Sequence, residues 1–202
     1  MIEETKVFES TSDATMNKLN LKSIPIPNSS QHIIQPEFYA YKIAIENLAK
    51  NNSQSTFGNS GPEHAAIVMG NIFKNATKHI KLFAKDFNGA VSDNPYYLES
   101  LKLYLETEKP LTIIFEDEPN PNSKALALIR SFNSNRVAIR KIKNGVKLKK
   151  EDNFAISDDR MFRLEYSKDD YKAVCSYNNP DFVRILEDIY TDLINQSKVY
   201  QN

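Results

Sequence analysis

The chain has 202 residues, 26 basic and 26 acidic side chains giving a formal net charge of zero, and one cysteine. That length accommodates a single α/β domain with an extension, and the charge balance provides no global field toward nucleic acid or anionic lipid. Cys175 alone cannot build a disulfide framework and suits a reducing cytoplasm, and no apolar run approaches the length of a membrane span.

The acidic start MIEETKVFES lacks the basic and apolar regions of a signal peptide. Residues 1–35 show no sustained periodicity, and their IPIP run, Ile24 to Pro27, is suited to an extended segment. This arm is expected to pack on a partner, to pack on the domain, or to stay partly disordered. Pro36 opens a helix, PEFYAYKIAIENLAK, with Phe38, Tyr41, Ala44, Ile45 and Leu48 on one stripe. Asn51 to Ser60 is rich in Asn, Ser and Gly and reads as a linker or exposed loop. The expected division is therefore an arm and helix over 1–60, then an α/β domain over 61–202.

From Gly61 the elements alternate. PEHAAIVMGNIFKNATK is a helix with Pro62 in its first turn, and His79 to Phe87 is a strand stopped by Asn88-Gly89. Asn94 caps a helix starting at Pro95, and the apolar run Leu111 to Phe115 is a strand buried on both faces. A helix follows from Lys124 to Phe132, then a strand from Arg136 to Ile142 and the basic loop KNGVKLKK. Phe154–Ile156, Met161–Tyr166 and Lys172–Tyr177 are three further strands. In the second, Met161, Arg163 and Glu165 share one face, while Phe162, Leu164 and Tyr166 share the other. Pro180 to Val199 is the last helix, with Asn178 or Asn179 as its cap. The order implies a three-layer α/β/α domain with a mixed, mostly parallel sheet.

The order strand, Asp158, hairpin, strand, Ser176-x-Asn178, helix resembles one half of the phospholipase D-like fold. That family carries His-x-Lys-x4-Asp followed by Gly-Ser-x-Asn. With Asp158 on the family Asp, its Lys position falls on Asn153 and its His position on Glu151. Shifting to Asp159 gives Phe154 and Asp152 instead. Ser176 and Asn178 match the second motif, with Cys175 in place of Gly. The resemblance thus implies the family fold without the histidine that forms a phospho-enzyme and without the lysine that grips phosphate. A glutamate forms no equivalent intermediate, and an anion repels a phosphodiester.

Ser176, Asn178 and Asn153 are the candidate ligand- or phosphate-binding residues, beside the helix N-terminus at Pro180. The plainer role for Asn178 is a cap, and for Ser176 a bond to the backbone. Glu151, Asp158, Ser176 and Asn178 are the candidate catalytic set. Arg136, Arg140, Lys141, Lys143, Lys147, Lys149 and Lys150 put seven cations in fifteen residues. They form either a nucleic-acid-binding edge or a solvated strand edge protected by lysines. His32, His64 and His79 are scattered, no metal-ligand spacing is present, and no cofactor loop is recognisable.

Three readings follow. The first is a non-catalytic phospholipase D-like subunit that binds, scaffolds or regulates. By resemblance it works in a bacterial nucleic-acid-processing or phage-defence system, in the cytoplasm, as a homodimer or with a partner chain. The second is a nuclease or phosphodiesterase with a rearranged site. The third is a sensor of a nucleotide ligand.

Overall fold

In the computed structural model, residues 36–148, 152–167 and 169–200 are described. The expected arm at 1–35 lies outside them. A 3-10 turn at Pro36–Phe38 leads into α1 (Tyr39–Lys50) and then β1 (Thr56–Asn59), α2 (Pro62–Asn75) and β2 (Ile80–Ala84). The chain continues through α3 (Pro95–Leu105), β3 (Leu111–Phe115), α4 (Lys124–Ser131) and β4 (Val137–Ile142). It ends with β5 (Phe154–Ser157), β6 (Met161–Ser167), β7 (Lys172–Ser176), α5 (Pro180–Gln196) and β8 (Ser197–Val199).

Local chemistry accounts for the helix starts. The side chains of Asn94, Ser123 and Asn179 accept hydrogen bonds from the amides of Tyr96, Leu126 and Phe182, each satisfying a donor that the first turn leaves unpaired. Pro62, Pro95 and Pro180 occupy first-turn positions where a missing N–H costs nothing. The strands form one eight-stranded sheet in the order β1-β7-β6-β5-β2-β3-β4-β8.

The sheet is mixed, but it differs from a mostly parallel one. Parallel pairing is confined to β2–β3 and β3–β4, and the five other neighbouring pairs are antiparallel. The reason is the late meander β5–β6–β7, joined by short reversals, together with two strands at the sheet margins. Both of those were hidden in sequence. β1 falls in the stretch taken as a loop, because TFGN is short and carries a glycine. β8 falls in the tail of the last helix, which stops at Gln196.

The layers are lopsided. Helices α1 to α4 cover one face, where Tyr41, Ile45, Ile67, Phe73, Leu101 and Leu126 pack with Leu82, Ile113, Met161 and Cys175. Only α5 among the described helices covers the other, with Val183, Leu186, Tyr190 and Leu193 against Phe83, Ile114, Ile156 and Phe162. Fully burying one such side chain stabilises by about 1.5–3 kcal/mol. Helix α1 and strand β1 belong to the same core and the same sheet as the rest, so residues 39–59 are built into the α/β body. At Gly70 an added Cβ would stand 2.5 Å from the Tyr96 ring, so the bare glycine lets α2 and α3 close together.

Strands β2, β3 and β4 end at what we term the upper edge of the sheet. Because β5, β6 and β7 alternate in direction, Asn153 and Glu165 reach the upper edge. Asp158 and Ser176 reach the lower one.

Candidate functional site

After β2 the chain runs through Lys85 and Asp86, turns at Phe87, and returns over the sheet to the capped start of α3. Phe87 and Tyr171 both hold φ in the left-handed region, 58° and 54°, which is uncommon for bulky side chains and recurs at functional sites. Under this arch lies a cavity of about 140 Å³. Met69, Leu82, Phe87, Val91 and Tyr97 give it apolar walls, and Ser92, Asn153, Arg163 and Glu165 give it a polar end. Asp86, Tyr171 and the exposed Lys85 also border it.

Arg163 and Glu165 are both 5 % exposed and lie two apart on β6, so they share the face that Met161 buries. Three of the guanidinium's five N–H donors have partners. Its Nη1 pairs with Glu165 Oε2 at 2.8 Å, Nε donates to Asn59 Oδ1 at 3.1 Å, and Nη2 donates to the Tyr171 carbonyl at 3.3 Å. Asn153 Nδ2 donates to Glu165 Oε1 at 3.2 Å. Glu165 thereby fixes the Asn153 amide, since a carboxylate held by an arginine offers acceptors only. The amide oxygen is left pointing elsewhere, and it is buried without a hydrogen-bond partner. Ser92 Oγ, on a residue 5 % exposed, is likewise buried and unpartnered. Burial pushes the Cys175 thiol up to about 12, with Arg163 pulling it down and Glu165 adding to the rise.

The lower edge is built differently. Asp158 accepts from Thr77 N at 2.5 Å, Thr77 Oγ1 at 2.8 Å, Lys78 N at 2.8 Å and His79 N at 3.2 Å. Burial alone would raise its pKa, but these donors hold the carboxyl below the usual aspartate value. Ser176 Oγ is buried and accepts from Asn178 N at 3.2 Å, and Asn178 Nδ2 donates to the Asn52 carbonyl at 3.2 Å. His79 Nε2 lies 3.7 Å from Asp159 and 3.8 Å from Glu187. This is the grouping, among the described residues, that brings ligand-type atoms within 4.8 Å of one another. Lys78 and Lys81 already pair with those two carboxylates, at 3.0 and 2.5 Å, so the charge there is balanced without an ion.

The candidate residues from sequence are thus divided. Asn153 lines the cavity. Asp158, Ser176 and Asn178 gather at the opposite edge, where each bonds to nearby chain. The register sets Ser176 beside Phe162 and Glu165 beside Ala173, three residues further along β6, about 10 Å at strand spacing. No shared cleft joins Asn153 to Ser176 and Asn178. Glu151 lies outside the described residues. Sequence reasoning missed Ser92 and Arg163, and weighed Glu165 only as one of four carboxylates, with Glu151, Asp158 and Asp159, that could gather round a metal. A usable signal for two of them was a charge pair on the strand face that also carries buried Met161.

The basic stretch is not a free edge either. β8 covers β4. Arg140 donates to Ser197 Oγ at 2.7 Å and to the carbonyls of Ile194 and Ser197. Lys141 pairs with Glu118, and Lys143 donates to the Asn195 carbonyl at 2.9 Å. Arg136 and Lys147 are exposed, while Lys149 and Lys150 lie outside the described residues. His64 packs between the rings of Phe38 and Tyr41, with centroids at 5.3 and 4.0 Å, and His32 lies outside the described residues. Among the described residues, no helix is long and apolar enough to cross a membrane.

No protein-family model and no curated protein matches the sequence. Solved structures do match the fold. Nuc, a phospholipase D family member from Salmonella typhimurium, is 15 % identical with a TM-score of 0.53, over 73 % of this chain and all of its own. NucT from Helicobacter pylori is 15 % identical with a TM-score of 0.55, over 72 % of this chain and 99 % of its own. TrmBL2, an archaeal chromatin protein whose structure shows a novel mode of DNA binding, is 14 % identical with a TM-score of 0.53. It is matched over 98 % of this chain and 72 % of its own.

Proposed function

Taking the phospholipase D-like fold as premise, we propose that this chain is a non-catalytic member that binds a ligand in the upper-edge cavity. The observation that carries the reading is the state of Arg163: Glu165 neutralises its charge, and three of its five N–H donors already bond Glu165, Asn59 and the Tyr171 carbonyl. A phosphodiester entering the cavity would meet an Arg163 guanidinium whose charge the Glu165 carboxylate already neutralises. Ser92, the one hydroxymethyl group among the described lining residues, has no base bonded to it, and Cys175 is buried with its thiol pKa raised.

The setting we favour is a bacterial nucleic-acid-processing or phage-defence system in the cytoplasm. There the chain would act as a binding, scaffold or regulatory subunit, paired with its own copy or with a partner chain. The novel mode of DNA binding of TrmBL2, whose fold matches, supports the nucleic-acid side of this setting. The test is incubation of the purified chain with DNA, RNA and bis-p-nitrophenyl phosphate, with and without magnesium or manganese. The expected result is no turnover above the buffer rate. Turnover lost in Ser176→Ala or Asn153→Leu would replace binding by catalysis.

A further inference from the structure

We propose that the sheet face beside α5 docks a partner chain through an amphipathic helix with an apolar stripe and basic flanks. This rests on the reading that the chain serves as a binding or scaffold subunit, and it says where and by what chemistry a partner is held.

The face is a gap in the helical layer. α5 is capped by Asn179, just past the lower end of β7, and it finishes where Ser197 pairs with Ile142 near the upper end of β4. It therefore crosses the sheet diagonally. Among the described helices, none covers the upper parts of β6, β7 and β1 on that side. Those three strands span two spacings of about 4.8 Å, and a helix with its side chains is about 10–12 Å across. The gap is one helix wide.

The floor of the gap is apolar. Leu164 of β6 pairs with Val174 of β7, and Val174 with Gly58 of β1, and both larger side chains are only half-buried. The wall is the flank of α5 that carries Phe182, Ile185 and Ile189 on successive turns. The Phe182 ring lies 4.5 Å from that of Phe162 on β6, whereas Glu187 on the opposite flank pairs with Lys81 of β2. The Phe182 flank thus turns toward β6 and β7. Ile185 is 56 % exposed. A single exposed isoleucine means little, but this one borders four half-buried apolar side chains, Leu164, Val174, Phe182 and Ile189.

Charge names the occupant. Around Ile185 the helix exposes Asp181, Asp188 and Asp192, and Arg184 is its one cation. A two-fold pairing through this face would bring the aspartates of two copies together, so charge opposes a second copy here. A different chain whose helix carries Lys or Arg beside its apolar stripe meets those aspartates and buries Ile185 in the same step.

The test titrates the full chain, by fluorescence anisotropy, into labelled peptides of about 18 residues, past the length at which isolated helices are marginal. One has Leu at every third or fourth position and Lys between. The second has Glu in place of Lys, and the third scrambles the first so that no stripe forms. The first is expected to bind about tenfold more tightly than either of the others. Ile185→Ser, with its fold checked by circular dichroism, should weaken that binding about tenfold. Asp188→Lys combined with Asp192→Lys should weaken it as much. Leu103→Ser, which removes a comparably exposed side chain from α3 on the opposite face, should leave it unchanged. Equal binding of the scrambled peptide overturns the proposal, as does undiminished binding in Ile185→Ser. A dimer in light scattering that Ile185→Ser turns into a monomer gives the face to a second copy and also overturns it. Absence of binding by every peptide overturns it too, whether another segment of the chain or water covers the face. Turnover of bis-p-nitrophenyl phosphate with the striped peptide still bound would bring down the non-catalytic reading and support this docking face. No turnover together with no peptide binding would bring down this inference alone.

Discussion

The two ends of strand β6 are chemically alike and structurally opposed. Both bring a buried carboxylate to an edge of the sheet: Asp158 just before the strand begins, and Glu165 near its end. At the lower edge the backbone of residues 77–79 comes close enough to surround Asp158 with amide donors. The carboxylate is spent on holding the chain. At the upper edge the segment after β2 arches away, so Glu165 finds only side chains, Arg163 and Asn153. All three residues line the pocket at that edge. Whether a carboxylate stabilises the fold or shapes a binding site is here decided by how near a neighbouring turn passes.

The largest effect is expected from removing the upper carboxylate. Glu165→Ala strands the Arg163 guanidinium in a site 5 % exposed, and leaving one partner of a buried ion pair uncompensated costs about 3–5 kcal/mol. Urea unfolding measures it. A loss under about 1 kcal/mol would mean that Arg163 reaches water and that the upper edge is open. The paired change Arg163→Met with Glu165→Leu should recover most of the loss, because well-packed apolar groups commonly replace a buried ion pair at little cost.

The lower edge gives the next effect. Asp158→Ala removes an acceptor from several backbone donors, at about 1.5–3 kcal/mol. It also carries a pH signature. The folded pKa of Asp158 lies below its unfolded value, so between the two the unfolded chain binds more protons and stability rises with pH. The contribution is complete above the ordinary aspartate pKa of about 3.9 and is lost as pH falls through the folded value. Urea midpoints measured from neutral pH downward should therefore drop below about pH 4 in the wild type. In Asp158→Asn the same curve should be flatter. Parallel curves would show that Asp158 is not ionised against those amides.

Much of the fold was legible because the strong signals were local. Asn94, Pro95 and the apolar run Leu111–Phe115 declared a capped helix and a buried strand, and both occur at those residues. β1 and β8 were not legible, since four- and three-residue strands gain their pairing from distant partners rather than from their own pattern. The candidate site residues are separated for a topological reason. Ser176, Asn178 and Asn153 were grouped by motif, but a meander sends successive strand ends to alternate edges, and counting reversals from β5 to β7 separates them. Arg163 and Glu165 were visible as a face of β6. Their burial depended on α1 and β1, and β1 was hidden. A smaller prediction tests this correction. Ser176→Ala removes one local hydrogen bond and should cost about 1 kcal/mol in urea unfolding. It should leave binding in the cavity unchanged, because Ser176 lies at the opposite edge of the sheet. Loss of ligand binding in Ser176→Ala would mean that the two edges communicate.

An equally small effect on stability, and the most direct view of how tightly β1 is held to β7, comes from Cys175. It sits opposite Arg163 in the β6–β7 register and opposite Phe57 in the β1–β7 register, fully buried, with Sγ 3.4 Å from Asn59 Oδ1. Asn59 is also the acceptor for Arg163, so the thiol touches the same clamp that spends the guanidinium. Cys175→Ala should cost only about 1 kcal/mol, as for deletion of one small buried group. The thiolate is the reactive form, and with a pKa of about 12 almost none exists at pH 8. Iodoacetamide should therefore label the native chain only at the rate of opening and should label it at once in urea. Full labelling of the folded chain at the rate of a free cysteine would show β1 peeling from β7. The Asn59–Arg163 bond would then break in the same motion, leaving the guanidinium held by Glu165 and the Tyr171 carbonyl.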